Sequence, residues 1–138
     1  MNKVIALLAV VLLTLLSSAA LAENVTVSWE WPTTYCDGEV LPLTDLRAAE
    51  IYVSEASIPR VVSNCDPDGP RDVPPAGAII ANVPVSDTSM TIDLQCDTTY
   101  YFVIRAQALN GEWSNFSGEA SRVLDCARPD VPITVILT

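Results

Sequence analysis

The alternation of side chains between Thr98 and Gln107 limits the possible folds of this chain more than any other feature. One face of this segment holds Tyr100, Phe102, Ile104 and Ala106, and the other holds Tyr101, Val103, Arg105 and Gln107. A period of two that is rich in aromatic and β-branched residues is typical of a β-strand with one face on a core. Because one strand cannot bury that face alone, the neighbouring segments must supply partner strands.

Strand signals recur along the rest of the chain and are separated by turn signals. They cover residues 25–31, 49–54, 79–83, 90–94 and 116–124. Pro32 ends the first of these strands, and Asn110-Gly111 is a strong hairpin signal. No helical period occurs after residue 22, so the sequence predicts an all-β domain.

Residues 1–22 have the three parts of a secretory signal peptide. Lys3 supplies a basic start, an apolar run extends from Val4 to Leu16, and Ala20-Leu21-Ala22 is a small-x-small ending. We expect cleavage after Ala22, and this ending disfavours the alternative of an uncleaved membrane anchor. The sequence therefore predicts a secreted or periplasmic protein without membrane insertion after cleavage.

The segment that remains, residues 23–138, is strongly acidic. It carries 17 acidic and six basic residues, a formal net charge of −11. Such a surface repels nucleic-acid backbones and anionic membranes at long range. We expect no nucleic-acid partner.

Four cysteines lie in this segment, at positions 36, 65, 96 and 126. An even number behind a secretion signal predicts two disulfides, and three pairings are formally possible. Zinc binding is the competing interpretation, and the lack of histidine and the wide spacing of the cysteines disfavour it. We predict no metal and no cofactor.

Two motifs resemble fibronectin type III domains. Leu94-x-Cys96-x-Thr98-x-Tyr100 is similar to their L-x-P-x-T-x-Y corner, with Cys96 in place of the proline, and residues 27–32 are similar to their apolar-x-Trp-x-x-Pro strand. The sequence of residues 37–53 resembles that of the bacterial branch of the family. The resemblance implies an immunoglobulin-like sandwich of about seven strands over residues 23–126.

The resemblance also implies contacts at the corner. The Tyr100 hydroxyl should tie the corner to nearby backbone. In the topology of that family the last strand ends beside the same corner, which pairs Cys96 with Cys126 and leaves Cys36 for Cys65. Each bridge would then close a loop of about 30 residues, worth roughly 3–4 kcal/mol.

Two segments fall outside the minimal pattern. Residues 56–78 are rich in proline, and we interpret them as an inserted loop held by Cys65. Residues 127–138 form a tail that ends in the uncharged, β-prone stretch 133–138. We expect this stretch to add an edge strand to its own sandwich, and donation to another molecule is the alternative.

Two surfaces are candidate binding sites. One lies at the loop end of the sandwich, where Trp31, Tyr35 and Trp113 are predicted to cluster. The other is the outer face of the strands that carry Tyr52, Tyr101 and Arg105. In each case the alternative is structural: the rings pack against the sandwich, or the 56–78 loop covers the face.

Catalysis is not expected, because residues 23–138 contain neither histidine nor lysine and no nucleophile motif. The sequence favours a non-catalytic secreted binding or adhesion module that recognises a protein or glycan at a cell surface. The alternative is a structural subunit that self-assembles by donating the 133–138 strand.

Overall fold

The computed structural model describes residues 22–35, 38–60, 72–127 and 133–136. These contain seven strands and one short 3-10 helix between the first two strands, at Leu43–Asp45. The strands are β1 (Ala22–Glu30), β2 (Leu46–Ser54), β3 (Ile79–Pro84), β4 (Ser89–Gln95), β5 (Thr98–Ala108), β6 (Ala120–Leu124) and β7 (Ile133–Ile136). In this part of the chain no helix is long and apolar enough to cross a membrane.

The strands form two sheets, so the predicted all-β fold is confirmed. One sheet has the order β4-β1-β7 and the other has the order β3-β2-β5-β6. All pairs are antiparallel except β1 with β7, which run parallel with Trp29 opposite Val135. The tail segment 133–136 therefore lies beside the first strand of its own chain.

The main core lies between the two sheets and is built from alternate residues of each strand. Its members include Val27, Trp29, Ile51, Phe102 and Ile104, all buried. Trp31 is half-buried against this core, with its ring edge-on to Trp29 at 6.3 Å between centroids. The period-two pattern predicted these inward positions, because successive side chains of a strand point to opposite faces.

The corner before β5 has the contacts that the motif implied. Cys96 is disulfide-bonded to Cys126, as predicted. The Tyr100 hydroxyl accepts a hydrogen bond from the Gln95 backbone N–H at 3.1 Å. Asp97 adopts a left-handed φ of 57°, which Asp tolerates better than most residues, and its N–H donates to the Leu124 carbonyl at 2.6 Å.

Expectations about boundaries are wrong at several strands; for example, β2 begins at Leu46 rather than at residue 49. The first strand covers 22–30 rather than 25–31, and the strand predicted at 116–124 begins only at Ala120. Two other predictions lie largely or wholly outside the described residues. They are the signal peptide, of which only Ala22 is described, and the Cys36–Cys65 bridge.

Candidate binding surfaces

The outer face of the four-stranded sheet places Glu50 directly opposite Arg105. The two residues are partners in the register between β2 and β5. Because Ile51 and Val53 point into the main core, Glu50 and Tyr52 must point to the outer face. An opposite-charge pair in this position stabilises the pairing of the two strands.

The Arg105 guanidinium makes polar and aromatic contacts on this surface. Its Nε and Nη2 donate to Glu50 Oε2 at 2.9 and 2.6 Å, and the Tyr52 hydroxyl donates to the same oxygen. The guanidinium carbon lies over three rings, 4.4 Å from the centroid of Trp113, 5.2 Å from Tyr52 and 5.9 Å from Phe116. Cation–π contact and the ion pair together hold the arginine in one place.

The phenol of Tyr52 is kept protonated by its surroundings. Burial raises the pKa of Tyr52 from its ordinary value of 10.0 to about 12. The hydrogen bond to Glu50 acts in the same direction, because ionised Tyr52 would lose it and face a carboxylate. Tyr52 therefore serves as a hydrogen-bond donor throughout the physiological range.

A second, smaller core covers this face. Its buried members are Tyr52, Ile58, Val103 and Phe116, and Tyr101 packs against them half-buried. The rings of Tyr52 and Phe116 lie 5.1 Å apart. Tyr52 was predicted to be available at the surface; it does lie on the outer face, but only 1% of it is exposed.

Carboxylates tie both described ends of the inserted loop to the segment before β6. The Ile58 N–H donates to Glu119 Oε2 at 2.5 Å, and Ser57 Oγ donates to the same oxygen at 3.0 Å. At the other end, the Phe116 N–H donates to Asp72 Oδ2 at 2.6 Å, and Asp72 is buried. Charge-assisted bonds of this kind are stronger than neutral ones, so the loop is firmly attached at two points.

Two serines replace regular strand pairing beside the C-terminal half of β5. Ser114 donates its N–H to the Ala106 carbonyl at 2.8 Å, while its Oγ accepts from the Ala106 N–H at 2.9 Å. Ser117 makes the same two bonds to Ile104, at 2.8 and 3.1 Å. The two hydroxyls accept hydrogen bonds from β5 N–H groups that would otherwise donate to carbonyls of a neighbouring strand. Because side chains replace these backbone acceptors, residues 116–119 are not a strand.

The rings that the sequence predicts to cluster at the loop end are those of Trp31, Tyr35 and Trp113. Trp31 packs on the main core, Trp113 stacks on Arg105 at the outer face, and the Tyr35 hydroxyl donates to Asp45 Oδ2 at 2.6 Å. A cavity of about 290 Å³ lies beside Trp113, bordered by Arg105 and Asp72.

The loop end exposes a patch of which the sequence singled out only Tyr35. We call Tyr35, Val40, Leu43 and Leu109 the loop-end patch; they are between 38% and 78% exposed. Asp45 joins them, because its carboxylate accepts from Tyr35, its carbonyl accepts from the Leu109 N–H at 3.0 Å, and Leu43 lies in its 3-10 turn. Val40 belongs to the same loop through its bridge to Thr34.

Periodicity could not have found this patch, because loop residues do not alternate. The available signal was a weaker one: apolar residues such as Val40 and Leu43 in a segment whose glycine and prolines mark it as a loop. Single exposed apolar residues are ordinary, so only the fold reveals that these four share one end.

One group of possible metal ligands occurs in the described part of the chain. Glu23, Cys96 and Cys126 bring one ligand atom each within 4.8 Å of one another. Both sulfurs belong to the disulfide, and metals bind thiolates rather than disulfide sulfurs. The arrangement is therefore a bridge with a neighbouring carboxylate, 3.5 Å from Cys126 Sγ.

Comparison of the chain with known proteins found no matching family model, no similar curated protein and no similar solved structure.

Proposed function

We propose that this protein is a non-catalytic binding module that recognises another protein through the loop-end patch. The observation that carries the proposal is the gathering of three exposed side chains, those of Tyr35, Leu43 and Leu109, around Asp45, with exposed Val40 in the same loop. Apolar groups that share one exposed surface are typical of interaction sites, since their burial by a partner is favourable.

A protein partner fits this surface better than a glycan. Sugar rings stack on flat, accessible aromatic faces, and Trp31 and Trp113 are half-buried in contacts with Trp29 and Arg105. The patch is mainly aliphatic, with Tyr35 as its one aromatic ring. Aliphatic and tyrosine side chains are suited to the apolar centre of a protein interface.

The proposed module acts outside the cytoplasm, at a cell surface. Two features support this location: the disulfide between Cys96 and Cys126, and the signal-like composition of residues 1–22. The sandwich type that we propose is fibronectin type III, supported by the corner motif and by the hydrogen bond between Gln95 and Tyr100.

The test compares two variants of the purified, oxidised chain. The double variant Leu43→Arg, Leu109→Arg places charges in the loop-end patch, and Val123→Arg places one at an equally exposed apolar site on β6. Fluorescently labelled chains are added to cells of the producing organism and to arrays of its surface proteins and glycans. We expect the double variant to lose retention at least about tenfold, while Val123→Arg retains it.

Equal retention by both variants, with unchanged melting temperatures, would exclude the loop-end patch. Retention on glycans alone would replace the protein partner with a carbohydrate.

Self-assembly by strand donation is a second candidate function. It is favoured by β7, an uncharged segment at a sheet edge that buries Val135 in the core, a position that a strand from another copy could also fill. Light-scattering mass of the full chain and of a chain lacking 133–138 tests it. Oligomers that disappear on truncation would support donation, and a monomeric full chain would exclude it.

A further inference from the structure

The free edge of β3 lies beside a cleft that is open between the two sheets. Among the described residues, β3 pairs only with β2 and ends the four-stranded sheet. Ile79 and Ile80 are 46% and 50% exposed on this strand. An edge strand with unpaired backbone groups and apolar side chains can accept a further strand.

The exposure of Ile79 is unusual for its place in the strand. Ile79, Ala81 and Val83 point to the same side, and Val83 is buried in the main core. Ile79 is open because it lines a cavity of about 480 Å³, where β3 and β4 do not meet. Buried Val53 and Leu94 also line this cavity, so it has an apolar floor.

The same cavity carries negative charge. Glu55 and Asp93 line it and are exposed, and no basic side chain lines it among the residues that the structure describes. The edge strand itself, residues 79–84, has no charged residue of either sign. A basic ligand would therefore meet opposite charge beside the cavity and no repulsion along the strand.

We propose that this cleft binds an extended, basic peptide segment of a partner protein. The segment adds a strand to the free edge of β3, places an apolar side chain in the cavity over Val53 and Leu94, and places a Lys or Arg beside Glu55 and Asp93. Backbone hydrogen bonds supply sequence-independent affinity in this mode, and the two side-chain positions supply selectivity.

Charge argues for such a segment over a second copy of this chain. The full chain has a formal net charge of −10, so a second copy would approach this acidic cleft with the same sign of charge. Like charges across an interface oppose association, whereas a basic segment is attracted.

The test begins with a random peptide library displayed on phage and selected on the full oxidised chain. We expect the enriched peptides to be β-prone and basic. The most enriched peptide is then synthesised and titrated calorimetrically against two charge-matched variants. Glu55→Lys with Asp93→Lys alters the cleft, and Glu30→Lys with Glu112→Lys alters exposed acids at the opposite end.

We expect the cleft variant to bind the peptide at least about tenfold more weakly and the matched variant to bind within about twofold of the original chain. Amide NMR shifts should concentrate on residues 79–83 and 93–95. Three results would overturn the proposal: no basic enrichment, equal weakening by both variants, or a dimeric mass that Ile79→Arg makes monomeric. None of these results bears on Leu43 or Leu109, so the proposed function is tested separately.

Discussion

The outer face of the four-stranded sheet and the loop end of the sandwich use their apolar side chains in opposite ways. On the outer face, Tyr52 and Phe116 are buried together with Ile58 of the inserted loop, and Arg105 packs against their rings. At the loop end, Leu43 and Leu109 are more than half exposed. The face richer in aromatic residues is therefore the less accessible one.

This difference shows that residue type is a poor guide to recognition when residues of a loop, such as Ile58, can pack on a sheet. Tyrosine, tryptophan and arginine are enriched at interfaces, but they are equally able to build a small core of their own. Here they build a small core, because two hydrogen bonds hold the described ends of the loop on the sheet. Ile58 donates to Glu119, and Phe116 donates to Asp72.

The largest expected effect comes from Phe116→Ala, which would open a cavity in the second core. Phe116 is 1% exposed and packs on Tyr52. We expect the free energy of unfolding to fall by about 3–5 kcal/mol. Urea denaturation measures it, with Val123→Ala as an exposed control expected to change stability by less than about 0.5 kcal/mol. A loss below about 1 kcal/mol for Phe116→Ala would mean that the outer face is not a core.

A pH titration sharpens the comparison through Tyr52. Its pKa is about 12 in the folded chain and 10.0 in the unfolded one, so the unfolded chain loses the proton first. The stabilisation is complete below pH 10 and is lost as pH rises towards 12, by about 1.4 kcal/mol per pH unit. Tyr52→Phe should remove this slope, and Tyr35→Phe should leave it. Identical slopes in the original chain and Tyr52→Phe would contradict the burial of the phenol.

The serine contacts predict a smaller effect. Ser117→Ala leaves the buried Ile104 N–H without its acceptor, and we expect a loss of about 1–2 kcal/mol. Ser114→Ala makes the same change at Ala106, but Ser114 is exposed, so water can replace its hydroxyl and the loss should be about 0.5 kcal/mol. Thermal unfolding of the pair measures the difference. The opposite order would show that the contact at Ser117 is not buried.

The smallest effect is expected at the loop end. Leu109→Ser removes an apolar side chain that contributes little to the core, and stability should change by less than about 0.5 kcal/mol. Chemical denaturation checks this. A loss comparable with that of Phe116→Ala would mean that Leu109 is a packing residue and is not available to a partner.

Much of the sandwich could be predicted because the residues of a half-buried strand alternate between apolar and polar along the sequence. The alternation in β2 and β5 identified their inward faces, and the corner motif led to the Cys96–Cys126 bridge. The segment from Ser114 to Ser117 has no such alternation, because its serine hydroxyls accept some of the hydrogen bonds from β5. The position of Trp113 depends on that segment, so its contact with Arg105 could not be predicted.

The candidate surfaces were harder to predict for a related reason. Whether Tyr52 is exposed depends on Ile58 and Phe116, which are distant in sequence and have no periodic relation to it. The loop-end patch depends on the meeting of two loops at Asp45. Both are properties of tertiary packing, and local pattern does not encode them.

Amide hydrogen exchange of the oxidised chain tests most directly whether the outer face is a covered core. If the inserted loop is part of the stable fold, the amides of Ile58 and Phe116 should exchange with opening free energies within about 1 kcal/mol of that of Ile51 in β2. The turn amide of Gly111, bonded to the Ala108 carbonyl, provides the fast reference. Exchange of Ile58 and Phe116 as fast as that of Gly111 would show that the loop opens readily and that Tyr52 and Arg105 are available for binding after all.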